Sequence, residues 1–146
     1  MNWKEEAIEK LRRYDAMRQA AVNLPEEIAR LEDEACGLRG VLPEEAPVMG
    51  GGSRREDALL SNMVHRQELE AALRQAKSWL NTADRALAAL TPEEKLVLHR
   101  FYIYPERGSV DRLCGELRVE QSSVYRKREK ALHKFTIALY GAVESG

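Results

Sequence analysis

From Asp57 to Leu90 the sequence runs for 34 residues without a glycine or a proline. Through it an apolar side chain recurs at alternating steps of four and three: Leu69, Leu73, Ala76, Leu80, Ala83, Leu87 and Leu90. Steps of that kind keep the apolar positions on one narrow seam of an α-helix. At the usual rise per residue such a helix reaches roughly 50 Å. A single helix of that length cannot bury its own seam. It must lie against another long helix, from the same chain, from a second copy, or from both.

The N-terminal part offers a partner. Ala7, Ile8, Leu11, Tyr14, Met17 and Ala21 share a broad stripe, which predicts a helix from Trp3 to Val22. Pro25 sits where the first turn of a further helix would begin, a position that tolerates its missing N–H. In that next segment Leu24, Ile28, Leu31, Ala35 and Leu38 form a second heptad seam. Two prolines and three consecutive glycines follow, so residues 40–55 read as a Gly-rich loop or linker. Residues 3–38 are therefore expected to fold back along the helix 57–90. Leu59, Leu60, Met63 and Val64 add more apolar surface than one hairpin can cover, which predicts a homodimer through the helices.

The last third carries different signals. Thr91, Pro92 and Glu94 form an N-cap, a first helical residue and a capping box. Leu96, Val97, Leu98, Phe101 and Tyr102 supply an apolar face until Pro105 and Gly108 end the helix. Ser109 is then expected to cap a short helix with Val110, Leu113, Cys114 and Leu117 inward. Arg118, Val119 and Glu120 make a turn. A final helix from about Gln121 to Tyr140 has Val124, Ala131, Leu132, Phe135 and Leu139 inward. A short helix, a small residue at the crossing, an apolar plug in the turn and a second helix are the parts of a helix-turn-helix. Cys114 fits the crossing and Val119 the plug. An ordinary helical corner with a solvated charged face is the plainer reading of the same pattern.

Charge separates the two ends. Residues 1–45 hold 7 Lys/Arg against 11 Asp/Glu, whereas residues 121–140 hold Arg126, Lys127, Arg128, Lys130 and Lys134 against Glu129 alone. Since the formal charge of the whole chain is only −1, an overall polycation is excluded and any polyanion must meet one end. If the final helix enters a major groove, its N-terminal residues approach base edges and its later basic residues lie along phosphates. Gln121, Ser122, Tyr125 and Arg126 are the candidates for base-edge or nearby phosphate contacts. Lys127, Arg128, Lys130 and Lys134 are the candidates for phosphates.

The stretches LTPEEKLVLHRFY and SVDRLCGELRVEQSSVYRKREKALHKF resemble region 4 of bacterial sigma factors and the sigma-like regulators of phages. The likeness covers about Leu90 to Leu139. The heptads, the loop Pro47 to Gly52 and the long helix are similar to small phage and prophage proteins described as sigma-like, and to the ArpU and RinA types of phage late-gene activator. The resemblance implies an all-α fold: residues 1–90 a coiled-coil-like helical hairpin with its Gly-rich loop at 40–55, and residues 91–146 a DNA-binding helix-turn-helix domain. It implies double-stranded DNA as partner, with the arm serving for dimerisation or for contact with RNA polymerase. Three positions depart from the pattern. Arg118 stands where glycine is usual in the turn, Glu120 where a Ser or Thr cap is usual, and Lys127 where the recognition helix is apolar. The first two are expected to strain or loosen the turn, and the acid would repel a nearby phosphate. No segment resembles sigma region 2, so a complete sigma factor is not expected.

Chemistry of other kinds finds no foothold. Gly50 to Ser53 lack the spacing of a phosphate loop. His65, His99 and His133 fall on separate predicted helices, without the grouping of a helical metal site. Cys36 and Cys114 have no ligand spacing and read as reduced thiols. Neither an enzyme, a metal nor a cofactor is expected. The N-terminus lacks the apolar core of a signal peptide and no run approaches a membrane span, so a cytoplasmic protein without membrane partners is expected. A sequence-specific, DNA-binding transcriptional regulator of phage or prophage type is the first functional reading. A DNA-packaging protein like a phage small terminase subunit, or a coiled-coil interaction module without DNA binding, are the alternatives.

Overall fold

The computed structural model describes residues 2–39 and 51–141, with residues 51–53 described by backbone alone. Five α-helices follow one another: α1 Trp3–Arg39, α2 Gly51–Ala88, α3 Pro92–Leu98, α4 Ser109–Leu117 and α5 Gln121–Tyr140. A π-helical turn, His99–Ile103, extends α3. No strand occurs among the described residues, and the fold is all-α.

Two expectations about the long helices are corrected. Pro25 does not open a new helix but lies inside one unbroken α1. A proline there removes one backbone hydrogen bond, at a cost of about 3 kcal/mol. Seam residues on its C-terminal side, Ile28, Leu31 and Ala35, are buried, and their packing offsets that loss. The helix after the glycines begins at Gly51, so residues 51–55 are helical and not loop. The rest of the expected loop, residues 40–50, lies outside the described residues.

The chain divides into two compact units, one of Gln19–Lys77 and one of Met1–Arg18 with Ser78–Gly146. Both long helices contribute to both units. Within Gln19–Lys77, α1 and α2 face each other through the heptad seams. Buried Asn62 donates from Nδ2 to the Leu31 carbonyl at 2.9 Å and accepts from Arg66 Nε at 2.8 Å. A buried amide satisfied this way fixes register, because slippage would leave it unpaired.

The other unit is built around two apolar clusters. In the larger, Ala7 and Leu11 of α1 meet Ala86 of α2, Leu90 and Leu98, and Ala131, Leu132 and Phe135 of α5. In the smaller, Val97, Leu113 and Val124 join α3, α4 and α5. Neighbours Val97 and Leu98 thus point into different clusters. The π-helical turn repeats that split: Phe101 packs on the smaller cluster, Tyr102 and Ile103 on the larger. Its wider winding is closed by the Tyr104 N–H donating to the His99 carbonyl at 2.8 Å. At the edge, Tyr14 donates to Asp84, and burial together with that bond pushes its phenol up to about 12.

Candidate nucleic-acid interface

The capping box read at Thr91 is present. The Thr91 hydroxyl accepts from the Glu94 N–H at 3.2 Å, and the Glu94 carboxylate accepts from the Thr91 N–H at 2.9 Å. Ser109 departs from expectation. Gly108, at φ 75°, precedes α4, and the Ser109 hydroxyl bonds the Glu106 backbone rather than capping the helix. A hydroxyl already held by the preceding turn has no free geometry for the α4 N–H groups.

Between α4 and α5 the turn has the parts read from the sequence. Leu113 is fully buried, and Cys114, Leu117 and Val119 pack against its cluster. Arg118 takes the left-handed conformation at φ 56°, the one non-glycine residue described that does so. Glu120 precedes α5 in extended geometry without a side-chain cap bond. Arg118 and Glu120 therefore occupy positions of the turn that suit glycine and a short polar cap. A side chain with a Cβ in the left-handed region costs roughly 1 kcal/mol, and a missing cap leaves first-turn N–H groups to water.

On α5 the candidate residues separate into two sets. Gln121, Ser122, Tyr125 and Arg126 are exposed along its N-terminal half, and Lys130 is exposed further on. Among the described residues, Gln121, Ser122, Arg126 and Lys130 find no side-chain hydrogen-bond or ion-pair partner. The other three basic residues are engaged by the protein. Lys127 Nζ lies 2.6 Å from Glu93 and Lys134 Nζ 2.8 Å from Glu94, both acids on the first turn of α3. Arg128 is half-buried, with its guanidinium carbon 5.1 Å from the ring centroids of both Phe101 and Tyr125, and it pairs with Glu129 at 3.1 Å. Glu129 also accepts from Lys4 at 2.6 Å, a bond that keeps its carboxyl below the usual carboxylate range against the effect of burial.

Glu94 behaves similarly. Partial burial works to raise its carboxyl, but donation from Lys134 and from Thr91 outweighs it and holds the group low. The acids on α3 thus face a cleft lined by Thr91, Pro92, Val97 and the three α5 lysines, with Lys130 the member left unpaired. Sequence reasoning missed these acids as partners because periodicity along α5 says nothing of which helix lies beside it. It also missed Arg118, exposed just before α5 and without an ion-pair partner among the described residues. Its placement could have been suspected from the turn, where a non-glycine residue must stand clear of the core.

The three histidines lie apart, His65 on α2, His99 in the π-helical turn and His133 on α5. Among the described residues no group of three or more His, Cys, Asp or Glu is placed to hold a metal ion, and no helix is long and apolar enough to cross a membrane. No family model matches this chain, nor does any curated protein or solved structure.

Proposed function

We propose that this chain is a DNA-binding transcriptional regulator of phage or prophage type, working in the cytoplasm, with α5 as its reading helix. The observation that carries the proposal is the face of α5 that follows the α4 turn. Gln121, Ser122 and Arg126 are exposed there without partners among the described residues, with Tyr125 beside them. Glutamine and arginine are the side chains that pair adenine and guanine through two hydrogen bonds. Arg118 and Lys130 flank that face with exposed cations that have no ion-pair partner among the described residues, as suits phosphates. Lys127, Arg128 and Lys134, though basic, serve the protein itself in this reading.

Selection of bound duplexes from random DNA is the direct test, followed by variants on the selected site. Arg126→Ala should cost about 1–3 kcal/mol of affinity and relax preference at one base. Lys130→Ala should weaken all sequences alike and lower the salt slope by about one unit. Lys127→Ala should leave that slope unchanged, because its ammonium is bound to Glu93. If Arg126→Ala and Lys130→Ala both leave binding unaltered with the fold intact, α5 is not a reader. One observation favours a second reading, a module that contacts protein. Three of the five basic side chains of α5 are already engaged, which leaves few cations for a phosphate backbone. Absence of any salt-dependent binding to duplex DNA would select that alternative.

A further inference from the structure

In Gln19–Lys77, α2 presents a face that α1 does not cover. Leu60, Met63 and Val64 are 55%, 42% and 44% exposed, on a helix whose opposite side buries Asn62 against α1. A shallow groove runs along this face, lined by Asp57, Leu60, Ser61, Val64, His65 and Glu68. Its charges have a definite order. Counting outward from Ser61, Asp57 lies four residues before and His65 four after; Arg54 lies seven before and Glu68 seven after. Steps of four and seven return to one helix face. Each charged group on this face to one side of Ser61 therefore has a complementary group at the same distance on the other: Arg54 answers Glu68, and Asp57 answers His65.

A pattern that is complementary to its own reversal is what an isologous contact requires, since a two-fold axis sets each residue against its mirror position along the helix. We propose that this face of α2 binds a second copy of the chain, antiparallel, with the two-fold axis at Ser61. Arg54 then pairs with the partner's Glu68, and the Asp57 carboxylate accepts from the ring N–H of the partner's His65. Small Ser61 meets the partner's Ser61 and allows close approach. Leu60 and Val64 lie on one flank, where the axis sets them beside the partner's Val64 and the partner's Leu60, covering these two side chains. A parallel pairing would instead set Arg54 against the partner's Arg54 and Glu68 against the partner's Glu68, so charge selects the antiparallel arrangement. The proposal is independent of the DNA-binding reading.

Sedimentation of the full chain at micromolar concentrations reads the assembly, and charge reversal reads its geometry. Arg54→Glu and Glu68→Arg, each alone, should weaken self-association roughly tenfold, because both symmetric contacts become repulsive. Mixing the two variants should restore dimers, since every contact in the mixed pair is again between opposite charges. Cross-linking supplies a second measure on a Cys36→Ser background. Ser61→Cys should form a disulfide-linked dimer, whereas Arg54→Cys should not, as the two Arg54 positions lie roughly 21 Å apart along antiparallel helices. A strict monomer at all concentrations overturns the proposal and leaves the face to a different partner. So does a mixture that associates no better than its components, or cross-linking through Arg54→Cys as readily as through Ser61→Cys.

Discussion

The two compact units use the same long helices to different effect. Every one of the largest fully buried side chains (Phe135, Leu11, Leu98, Leu113, Leu132, Val97, Val124 and Thr136) belongs to the unit of Met1–Arg18 with Ser78–Gly146. In Gln19–Lys77 the buried set is Ile28, Leu31, Ala35, Asn62 and Ala76, while Leu60, Met63, Val64 and Val22 stay exposed. Two helices offer each other one seam apiece. Full burial of large side chains comes where α3 and α5 pack against the ends of α1 and α2, and where α3, α4 and α5 meet. The difference is one of packing geometry rather than composition, since apolar positions recur through both regions at the same spacing.

That contrast can be broken most directly in the cores. Phe135→Ala should cost about 3–5 kcal/mol, because it removes a ring with no exposed surface and leaves a cavity. Leu31→Ala, in a two-helix seam able to collapse, should cost nearer the low end for such changes, about 2 kcal/mol. Denaturant unfolding of both variants decides it; equal losses would mean that the two units are packed alike.

A smaller effect sharpens the comparison. Arg118→Gly should stabilise the unit that holds the turn by about 1 kcal/mol, through release of the left-handed strain. Amide exchange should slow in α4 and α5 and stay unchanged in residues 54–77. A gain shared by both regions, or none at all, would contradict the account given of the turn.

The smallest effect is on acid. Glu94 has a lowered carboxyl in the folded state, so its contribution is present at neutral pH and is lost as pH falls through the folded value. Glu27 in the other unit is lowered by its hydrogen bond with Arg30, but its side chain is 41% exposed against 12% for Glu94, so solvent and salt screen it more. Stability should therefore fall on acidification through Glu94–Lys134 more than through Glu27–Arg30. Glu94→Gln keeps the capping-box geometry and removes the charge, so it should flatten the acid limb, whereas Glu27→Gln should not. Urea midpoints followed from neutral to acidic pH measure both, and identical limbs would remove the distinction.

Much of the local structure was legible residue by residue. Heptad steps fixed which faces of α1 and α2 are covered: no seam residue from Leu24 to Leu38, or from Leu69 to Leu90, is exposed. Thr91, Pro92 and Glu94 marked the start of α3, and Val119 and Val124 marked the turn and the inward line of α5. These signals are short-range, set by backbone hydrogen bonding and by the 3.6-residue period. Pro25 misled because a local cost of about 3 kcal/mol is outweighed by packing that extends beyond the adjacent turn. Residues 51–55 are helical where composition had suggested a loop.

Which charges remain free was decided only when helices met. In sequence, Lys127, Lys130 and Lys134 are three equivalent cations on one basic helix. In the fold, Glu93 and Glu94 on α3 take the first and last, and the Arg128 guanidinium lies against the rings of both Phe101 and Tyr125. The sequence by itself determined the helices, their apolar faces and the position of the turn, since each depends on neighbours within a few residues. The tertiary structure decided the partners of α5, because an ion pair between residues 34 or 40 positions apart follows from how α3 and α5 pack, and no period along either helix encodes it.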